Sequence, residues 1–136
     1  MIKHEVQIRV RYAETDKMGY VYYGNYATYF EVARVETFRH IGFSYKELEE
    51  AGTMMPVAEY KTKYIKPARY DDLLTIKVYI RTKPSARIVF EYEVFNEENI
   101  LLNVAETTLV FINSQTMRPY LPPEYFQNLL NPFFEE

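Results

Sequence analysis

The sequence has no cysteine and no tryptophan, and it has only two histidines and four glycines. Without cysteine, the chain cannot form a disulfide, a thiol nucleophile or a redox couple. His4 and His40 are isolated and lack the spacing of zinc ligands. The three serines (Ser44, Ser85 and Ser114) each fall where a helix cap or a turn is expected, which argues against a serine triad. We therefore expect neither a metal nor a cofactor.

Long apolar runs and a strong charge of either sign are also missing. No run of about 18 apolar residues is present, so no membrane-spanning helix is expected. The first five residues, Met1–Glu5, lack the apolar region of a signal peptide, and together with the absence of cysteine this agrees with a cytoplasmic protein. The net charge of -3 argues against nonspecific nucleic-acid binding, which relies on a basic surface.

A single domain, residues 1–136, is the simple interpretation of this length. Apolar and polar residues alternate along five segments, which predicts half-buried strands at Lys3–Tyr12, Val57–Lys66, Leu74–Arg81, Ile88–Val94 and Ile100–Ile112. A long helix is predicted between the first two strands, and the last four strands are expected to form a meander. An antiparallel sheet covering one long helix, an α+β architecture, accounts for this order.

The long helix is predicted from about Asn25 to His40. Largely apolar residues recur at helical spacing, whereas the charged residues fall largely on the other side. The residues of the apolar side are Tyr26, Tyr29, Phe30, Ala33, Thr37 and Ile41. The charged residues are Glu31, Arg34, Glu36 and Arg39. Gly42 follows at the left-handed position typical of a helix end. Ser44 with Glu47 predicts a short capped helix closed by Gly52, and Pro122–Pro123 predicts a last helix through Leu130, with Phe133–Phe134 docked on the body or on a partner.

The segment Arg11–Tyr26 carries the strongest candidate for chemistry. Asp16 is one of three aspartates, and Gly19 supplies turn dihedrals three residues later. Gly24–Asn25 then opens the long helix, whose first N–H groups are unpaired and carry a partial positive charge. A carboxylate beside such a helix end favours a reaction in which a carbonyl oxygen becomes negative. A simple turn followed by a helix cap explains the same residues, and both interpretations stay open at this point.

This segment resembles the active-site signature of the hotdog-fold acyl-CoA thioesterases, specifically the 4-hydroxybenzoyl-CoA thioesterase-like family. The matching residues are Tyr12, Glu14, Asp16, Gly19, Val21, Tyr22, Tyr23, Asn25 and Tyr26. The resemblance implies a hotdog fold, a five-stranded curved antiparallel sheet wrapped around one long helix. It also implies dimers with joined sheets, often paired into tetramers, with active sites at the subunit interface. Two residues depart from the pattern: Tyr20 replaces a small aliphatic residue, and Tyr23 replaces a common histidine.

The resemblance also implies roles for individual residues. Asp16 acts as the general base or as the nucleophile in thioester hydrolysis, and the two routes are not separated. The backbone N–H of Tyr23, with Gly24 beside it, serves as the oxyanion donor. Tyr22, Asn25 and Tyr26 are candidate substrate-binding residues, although Asn25 is first expected to cap the helix. From its place in the sequence, Glu14 is expected to be a solvated loop residue, with a position beside the site as the alternative. Asp71–Asp72 matches a Tyr-Asp-Asp motif of the family, but its position between Pro67 and a strand predicts a structural turn.

Coenzyme A carries phosphates, so basic residues are expected near the mouth of the pocket. The basic residues in question are Lys61, Lys63 and Lys66 on one strand and Arg81, Lys83 and Arg87 around one turn, and the candidates chosen from them are Lys61, Lys63 and Arg87. The turn at Pro84–Ala86 is less basic than in some members of the family, which leaves room for another phosphate contact or for a carrier-protein thioester. Three other functions therefore remain beside acyl-CoA hydrolysis: hydrolysis of acyl-carrier-protein thioesters, a non-catalytic acyl-CoA-binding or scaffold module, and a dehydratase. The dehydratase is disfavoured because it needs a histidine near the acid.

Overall fold

The computed structural model describes residues 1–135; the predicted domain also includes Glu136, which lies outside the described residues. The strands are β1 (Ile2–Arg9), β2 (Thr53–Met54), β3 (Val57–Tyr64), β4 (Leu73–Ile80), β5 (Arg87–Phe95), β6 (Leu101–Val110), β7 (Ile112–Asn113) and β8 (Arg118–Pro119). The helices are α1 (Tyr23–His40), α2 (Tyr45–Glu50) and α3 (Glu124–Leu130), with 3₁₀ turns at Tyr12–Glu14 and Asn131–Phe133. Every helix and strand predicted from the sequence is present, with ends shifted by a few residues.

Five strands form an antiparallel sheet in the order β1-β4-β5-β6-β3. The predicted five-stranded antiparallel sheet is confirmed, but the expected meander of the last four strands is wrong because β3 pairs with β6 and not with β4. The edge of β4 that β3 would need is occupied by β1, which pairs with β4 from Ile2↔Ile80 to Arg9↔Leu73. The connection between β3 and β4 therefore crosses the sheet, because β5 and β6 lie between these two strands in the strand order.

One face of this sheet packs against α1. Along β4 every second side chain is buried, as the alternating pattern predicted. Aromatic rings from the helix meet rings of β5 in the core: Phe30 stacks on Tyr92 with ring centroids 4.3 Å apart, and Phe38 lies 5.6 Å from Phe90. These four rings are all buried. Burial of such large apolar groups is the main stabilising contribution at the junction of helix and sheet.

The buried face of α1 is wider than the sequence pattern indicated. Tyr26, Tyr29, Phe30, Ala33 and Thr37 are buried as predicted, but Phe38 and Arg34 are buried as well. The prediction that Arg34 lies on the charged outer side of the helix is wrong, since only 8% of the residue is exposed. Gly42 has φ +90°, as expected for the residue that ends the helix.

The end of the chain forms a second, smaller sheet. The strand predicted as Ile100–Ile112 ends at Val110, and the chain continues as β7, which pairs with β2 and β8. Phe111 lies between the two strands and is fully buried against Phe126 of α3, with ring centroids 5.4 Å apart. Ser44 caps α2 as predicted, since its hydroxyl oxygen accepts from the Glu47 N–H at 3.3 Å. Phe134, near the end of the chain, packs on the core; docking on the body was one of the two alternatives expected, and docking on a partner was the other.

Strand β3 lies at an edge of the main sheet. Its apolar side chains are unusually exposed: 47% of Val57, 39% of Tyr60 and 50% of Tyr64. An exposed edge with apolar residues is a site where proteins pair with another strand or cover the edge in another way. Among residues 1–135, no helix has the length and apolar character that crossing a membrane requires.

Candidate active site

Asp16 lies in the loop between β1 and α1, and its carboxylate is held by the loop itself. Oδ1 accepts hydrogen bonds from the N–H groups of Met18 at 2.9 Å and Tyr20 at 3.2 Å. Gly19 has φ +80°, the turn conformation expected for it, and its N–H donates to the Asp16 carbonyl at 3.0 Å. Within residues 1–135, no hydrogen bond uses Oδ2. Oδ1 therefore fixes the orientation of the side chain, and Oδ2 has no hydrogen-bond donor among the described residues.

The same loop is tied to the segment before β4. Val21 donates its N–H to the Ala68 carbonyl at 2.8 Å, and Tyr20 forms a bridge with Arg69. The Arg69 guanidinium lies 4.8 Å from the centroid of the Tyr20 ring, a cation–π contact. The departure at Tyr20 from a small aliphatic residue thus adds an anchor for the loop.

Helix α1 begins at Tyr23, two residues earlier than predicted. Tyr22 is the N-cap residue, with φ −60° and ψ 134° and no side-chain cap. In the described part of the chain, the N–H groups of Tyr23 and Gly24 have no hydrogen-bond acceptor, as expected for the first turn of a helix. The expected cap at Asn25 is wrong: its Nδ2 donates to the Glu14 carbonyl at 2.8 Å and so ties the helix to the preceding loop.

A cavity of about 300 Å³ brings the loop and the helix start together. Of the residues singled out in the sequence, Asp16, Tyr23 and Tyr26 line it. The complete lining is Asp16, Tyr20, Val21, Tyr23, Tyr26, Tyr64, Ile65, Lys66 and Pro67. A carboxylate with one free oxygen thus borders the same space as a helix start with unpaired N–H groups. This arrangement suits the attack of water or of the carboxylate on a carbonyl group.

Comparison with known proteins identifies the family of the chain. A family model described as the thioesterase superfamily matches residues 18–102. The chain belongs to the thioesterase superfamily. The match begins two residues after Asp16, so it says nothing about that residue.

Individual relatives of this thioesterase cover most of its length. The acyl-CoA thioester hydrolase YbgC of Escherichia coli O157:H7 is 36% identical over 117 residues, which is 86% of this chain and 87% of that protein. The acyl-acyl carrier protein thioesterase ATL3 of Arabidopsis thaliana is 34% identical over 72% of this chain and 53% of that protein. A solved DHNA-CoA thioesterase from Staphylococcus aureus superposes with a TM-score of 0.90 and 38% identity, covering 98% of this chain and 89% of its own. The fold is therefore the hotdog fold, and the protein is a thioester hydrolase.

The other residues singled out in the sequence lie around this cavity or away from it. Tyr22 and Gly24 flank Tyr23 in the sequence but do not line the cavity. Tyr22 is 47% exposed, and the centroid of its ring lies 4.6 Å from that of Tyr23. Lys61 and Lys63 line a separate groove on the other side of β3 with Glu91 and Glu106.

The phosphate-binding roles of Lys61, Lys63 and Arg87 stay predictions, because a single chain does not bring these residues to the cavity. Arg87 begins β5, whereas the cavity lies near the other end of that strand. Tyr64 in the cavity wall pairs with Asn103, and Asn103 pairs in turn with Val94 of β5. At ~3.3 Å per residue, Arg87 is roughly 23 Å along β5 from that end of the sheet. Lys66, which was not among the three chosen candidates, lines the cavity.

The structural role of Glu14 was not predicted from the sequence. It was expected in solvent, but only 8% of it is exposed. Its carboxylate accepts from the Arg11 N–H and the Arg11 Nη2, both at 2.8 Å, and from the Tyr29 hydroxyl at 2.9 Å. Burial alone raises the pKa of Glu14, but these hydrogen bonds outweigh burial and hold the pKa below its ordinary value. Glu14 is therefore an ionised clamp between the loop and the helix.

The backbone of Glu14 extends this clamp to the helix start. Its carbonyl accepts from the Tyr22 N–H at 2.9 Å as well as from Asn25. One residue thus joins the loop that carries Asp16 to the N-cap of α1. The spacing of Arg11 and Glu14 in the sequence could have indicated this pairing. Side chains three residues apart in a helical turn are neighbours, so their opposite charges can form an ion pair.

The acidic pair Asp71–Asp72 forms the structural turn that was predicted. Asp71 has φ 68°, and the Asp72 Oδ2 accepts from the Arg69 N–H at 2.9 Å. The Asp71 N–H donates to the Val10 carbonyl at 3.0 Å, which ties the turn to the end of β1. Neither carboxylate lines the cavity beside Asp16.

Proposed function

We propose that this thioesterase hydrolyses acyl-CoA thioesters, with Asp16 as general base or nucleophile and the backbone N–H of Tyr23 as oxyanion donor. The observation that carries the proposal is the cavity lined by both Asp16, whose Oδ2 accepts no hydrogen bond within residues 1–135, and Tyr23, whose N–H at the start of α1 has no acceptor there. The names of its relatives add support for an acyl-CoA substrate. The reaction needs water and these groups alone, so we propose no cofactor beyond the coenzyme A of the substrate.

In the general-base route, Asp16 removes a proton from water while the oxygen of that water bonds to the thioester carbon. The carbonyl oxygen becomes an oxyanion, which the Tyr23 N–H and the helix dipole stabilise. The carbon–sulfur bond then breaks, and the thiolate leaves with the proton held by Asp16. In the nucleophilic route, the Asp16 carboxylate bonds to the same carbon and expels the thiolate, and water then cleaves the mixed anhydride.

The first test replaces Asp16 with Asn and measures thiol release from a panel of aliphatic and aromatic acyl-CoAs, DHNA-CoA among them. Loss of the carboxylate removes both routes, so we expect turnover to fall about a hundredfold or more. Asp71→Asn is the matched control, because Asn also tolerates positive φ and this side chain lies away from the cavity. Turnover in Asp16→Asn equal to that of Asp71→Asn would exclude Asp16 from the chemistry.

The second test removes one backbone N–H. Tyr23 is the first residue of α1, where proline is well accepted, and the conformation of Tyr22 is compatible with a following proline. Tyr23→Pro should lower kcat about a hundredfold to a thousandfold, the loss typical of removing one oxyanion donor. Tyr23→Ala removes the side chain and keeps the N–H, so it separates the two contributions. Equal kcat values for the two variants would refute the role of the N–H.

A carrier-protein thioester is a second candidate substrate, favoured by the 34% identity to the Arabidopsis carrier-protein thioesterase. The chemistry at Asp16 is the same, and the partner is a protein surface in place of the nucleotide end of coenzyme A. Hydrolysis of acyl-carrier-protein thioesters without hydrolysis of any acyl-CoA in the panel would favour this candidate. Stoichiometric binding of acyl-CoA without turnover of either substrate would instead favour a binding module.

We also propose that the protein is a homodimer that uses the exposed edge of β3. The apolar side chains Val57, Tyr60 and Tyr64 on this strand support the proposal, because a second copy would remove them from water. Further pairing into a tetramer is the alternative assembly. Light scattering coupled to size-exclusion chromatography gives the mass directly, and a monomer at micromolar concentration would contradict the proposal. A cytoplasmic location stays a prediction.

A further inference from the structure

Tyr20 is hydrogen-bonded to Asp16 twice. Its N–H donates to Asp16 Oδ1 at 3.2 Å, and its carbonyl oxygen accepts from the Asp16 N–H at 2.7 Å. The other donor to Oδ1, the N–H of Met18, lies inside the turn that these two bonds close. Residues 16–19 of this turn are exposed, so few packed side chains oppose its opening. The orientation of the carboxylate therefore depends on how firmly Tyr20 is attached to the rest of the protein.

The backbone of Tyr20 is attached to Arg69, in the segment before β4, by an isolated antiparallel bridge. Arg69 is itself fixed by a turn, because its N–H donates to Asp72 Oδ2 at 2.9 Å and its carbonyl oxygen accepts from the Asp72 N–H at 3.2 Å. The Asp72 carbonyl oxygen in turn accepts from the N–H of Val10, one residue after β1, at 2.9 Å. A chain of backbone contacts thus leads from the main sheet to the loop that carries Asp16.

The side chains of Arg69 and Tyr20 add a second contact to this bridge. The guanidinium carbon lies 4.8 Å from the centroid of the Tyr20 ring, within the ~6 Å at which a cation is attracted to the face of an aromatic ring. Among residues 1–135, the guanidinium forms no salt bridge. The Tyr20 ring belongs to a residue that lines the cavity beside Asp16, whereas Arg69 does not line it. The ring contact is therefore the direct connection of this guanidinium to the site.

A substitution at Arg69 separates the two kinds of attachment. The backbone bridge and the bonds to Asp72 use main-chain atoms of Arg69, so they remain whatever side chain the residue carries. Only the contact with the ring is lost. The strength of an exposed cation–π contact corresponds to a factor of about two to five in an equilibrium constant.

We propose that Arg69 is a positioning residue: by holding the ring of Tyr20, its guanidinium keeps the Tyr20 N–H on Asp16 Oδ1 and so holds the Asp16 carboxylate in one orientation. This inference rests on the proposed hydrolysis, in which Asp16 is the base or the nucleophile. A reacting group must stay within a narrow range of positions, so a looser carboxylate lowers kcat. Because Arg69 does not line the cavity, its loss should leave KM nearly unchanged.

The test is a double-mutant cycle. Arg69→Met is introduced into the wild type, into Tyr20→Phe and into Tyr20→Leu, and kcat and KM are measured with the acyl-CoA that the wild type hydrolyses fastest. Phe keeps a ring beside the guanidinium, and Leu does not. Arg69→Met should lower kcat about two- to fivefold in the wild type and in the Tyr20→Phe background, and it should have no effect in the Tyr20→Leu background. Arg69→Lys, which keeps a cation at the ring, should retain more of kcat than Arg69→Met.

Lys77→Met is the matched control, because the Lys77 ammonium lies 4.9 Å from the centroid of the Phe95 ring on the main sheet. It removes the same charge and the same kind of contact, and it should leave kcat unchanged. Amide hydrogen exchange, followed by NMR, gives a second readout that needs no substrate. The Tyr20 amide should exchange about two- to fivefold faster in Arg69→Met than in the wild type, and at the wild-type rate in Lys77→Met.

Different failures are distinguishable in this design. An unchanged kcat in Arg69→Met overturns the inference, and so does an equal loss of kcat in the Tyr20→Leu background, because the guanidinium would then act without the ring. A rise in KM at constant kcat would assign Arg69 to substrate binding and would also overturn it. If the wild type hydrolyses no acyl-CoA, the proposed substrate fails, and hydrogen exchange decides alone: faster exchange of the Tyr20 amide in Arg69→Met supports the inference, and an unchanged rate overturns it.

Discussion

The hydrogen bond from Tyr29 to Glu14 should stabilise both the fold and the active-site loop. Tyr29 is 2% exposed, and its hydroxyl donates to Glu14 Oε1 at 2.9 Å. Burial and the adjacent carboxylate raise the pKa of Tyr29, so the hydroxyl stays protonated and remains a donor. Tyr29→Phe removes this single donor and leaves the ring in place. Arg11 then holds the Glu14 carboxylate within the loop, and only the Glu14 carbonyl, which accepts from Tyr22 and Asn25, still joins this residue to the helix.

The expected loss follows from the environment of this pair. A hydrogen bond to a charged group stabilises a protein by ~1.5–3 kcal/mol. Glu14 keeps its hydrogen bonds from Arg11 in the variant, so we expect the lower end of that range, about 1.5 kcal/mol. Urea unfolding followed by circular dichroism measures this as a shift in midpoint at constant slope. Turnover should fall as well, because the Glu14 carbonyl holds Tyr22 and Asn25 at the helix start.

Tyr79→Phe is the matched control. The Tyr79 hydroxyl donates to Glu93 Oε1 at 2.7 Å, but both residues are only half-buried and lie in the main sheet away from the loop. Water replaces the lost partner there, so the loss should stay below about 1 kcal/mol and turnover should not change. If Tyr29→Phe costs no more than Tyr79→Phe, or if its turnover equals that of the wild type, the Glu14 clamp does not support the active site.

Two further predictions concern the same loop. The pKa of Glu14 lies below its ordinary value of 4.5, so its contribution to stability is present above about pH 4.5 and is lost as the pH falls through the lowered pKa. The difference in unfolding free energy between wild type and Glu14→Gln should therefore shrink on acidification below that pH. A difference that stays constant with pH would contradict the assignment. Gly19→Ala and Gly42→Ala both place a Cβ at positive φ in open space, and each should lower the free energy of unfolding by about 1–2 kcal/mol. Only Gly19→Ala should also lower kcat. Equal kcat values for the two variants would count against a role of the Asp16 turn in catalysis.

The sequence predicted those parts of the fold that depend on local periodicity. The alternation along β4 and the helical spacing of α1 each follow from one segment and one buried face. Pairing of β3 with β6 was missed because it depends on which edge of β4 is already occupied by β1, a property of the whole sheet. Strand order is a non-local property, and alternation within a strand says nothing about its neighbour.

The same distinction explains what was found of the site. Asp16, Gly19 and the helix start lie within one short segment, so their proximity was predictable. The burial of Glu14 depends on Tyr29, 15 residues away, and that of Arg34 depends on Tyr92, 58 residues away. A charged residue is normally solvated, and only a partner brought in by tertiary packing makes burial tolerable. Both charged residues were therefore predicted in solvent, and both are buried.

In the proposed mechanism, the two carboxylates of one loop, Glu14 and Asp16, have opposite tasks. Both oxygens of Glu14 are engaged, by Arg11 and Tyr29, so this carboxylate has little capacity left to accept a proton or to attack a carbon. Asp16, two residues later, uses Oδ1 to accept from the loop, its Oδ2 accepts no hydrogen bond within residues 1–135, and the residue lines the cavity. An exchange of the two environments would leave a carboxylate at each position and no free oxygen beside the helix start. The position of the hydrogen-bond donors, more than the number of acids, therefore decides which carboxylate is available for chemistry.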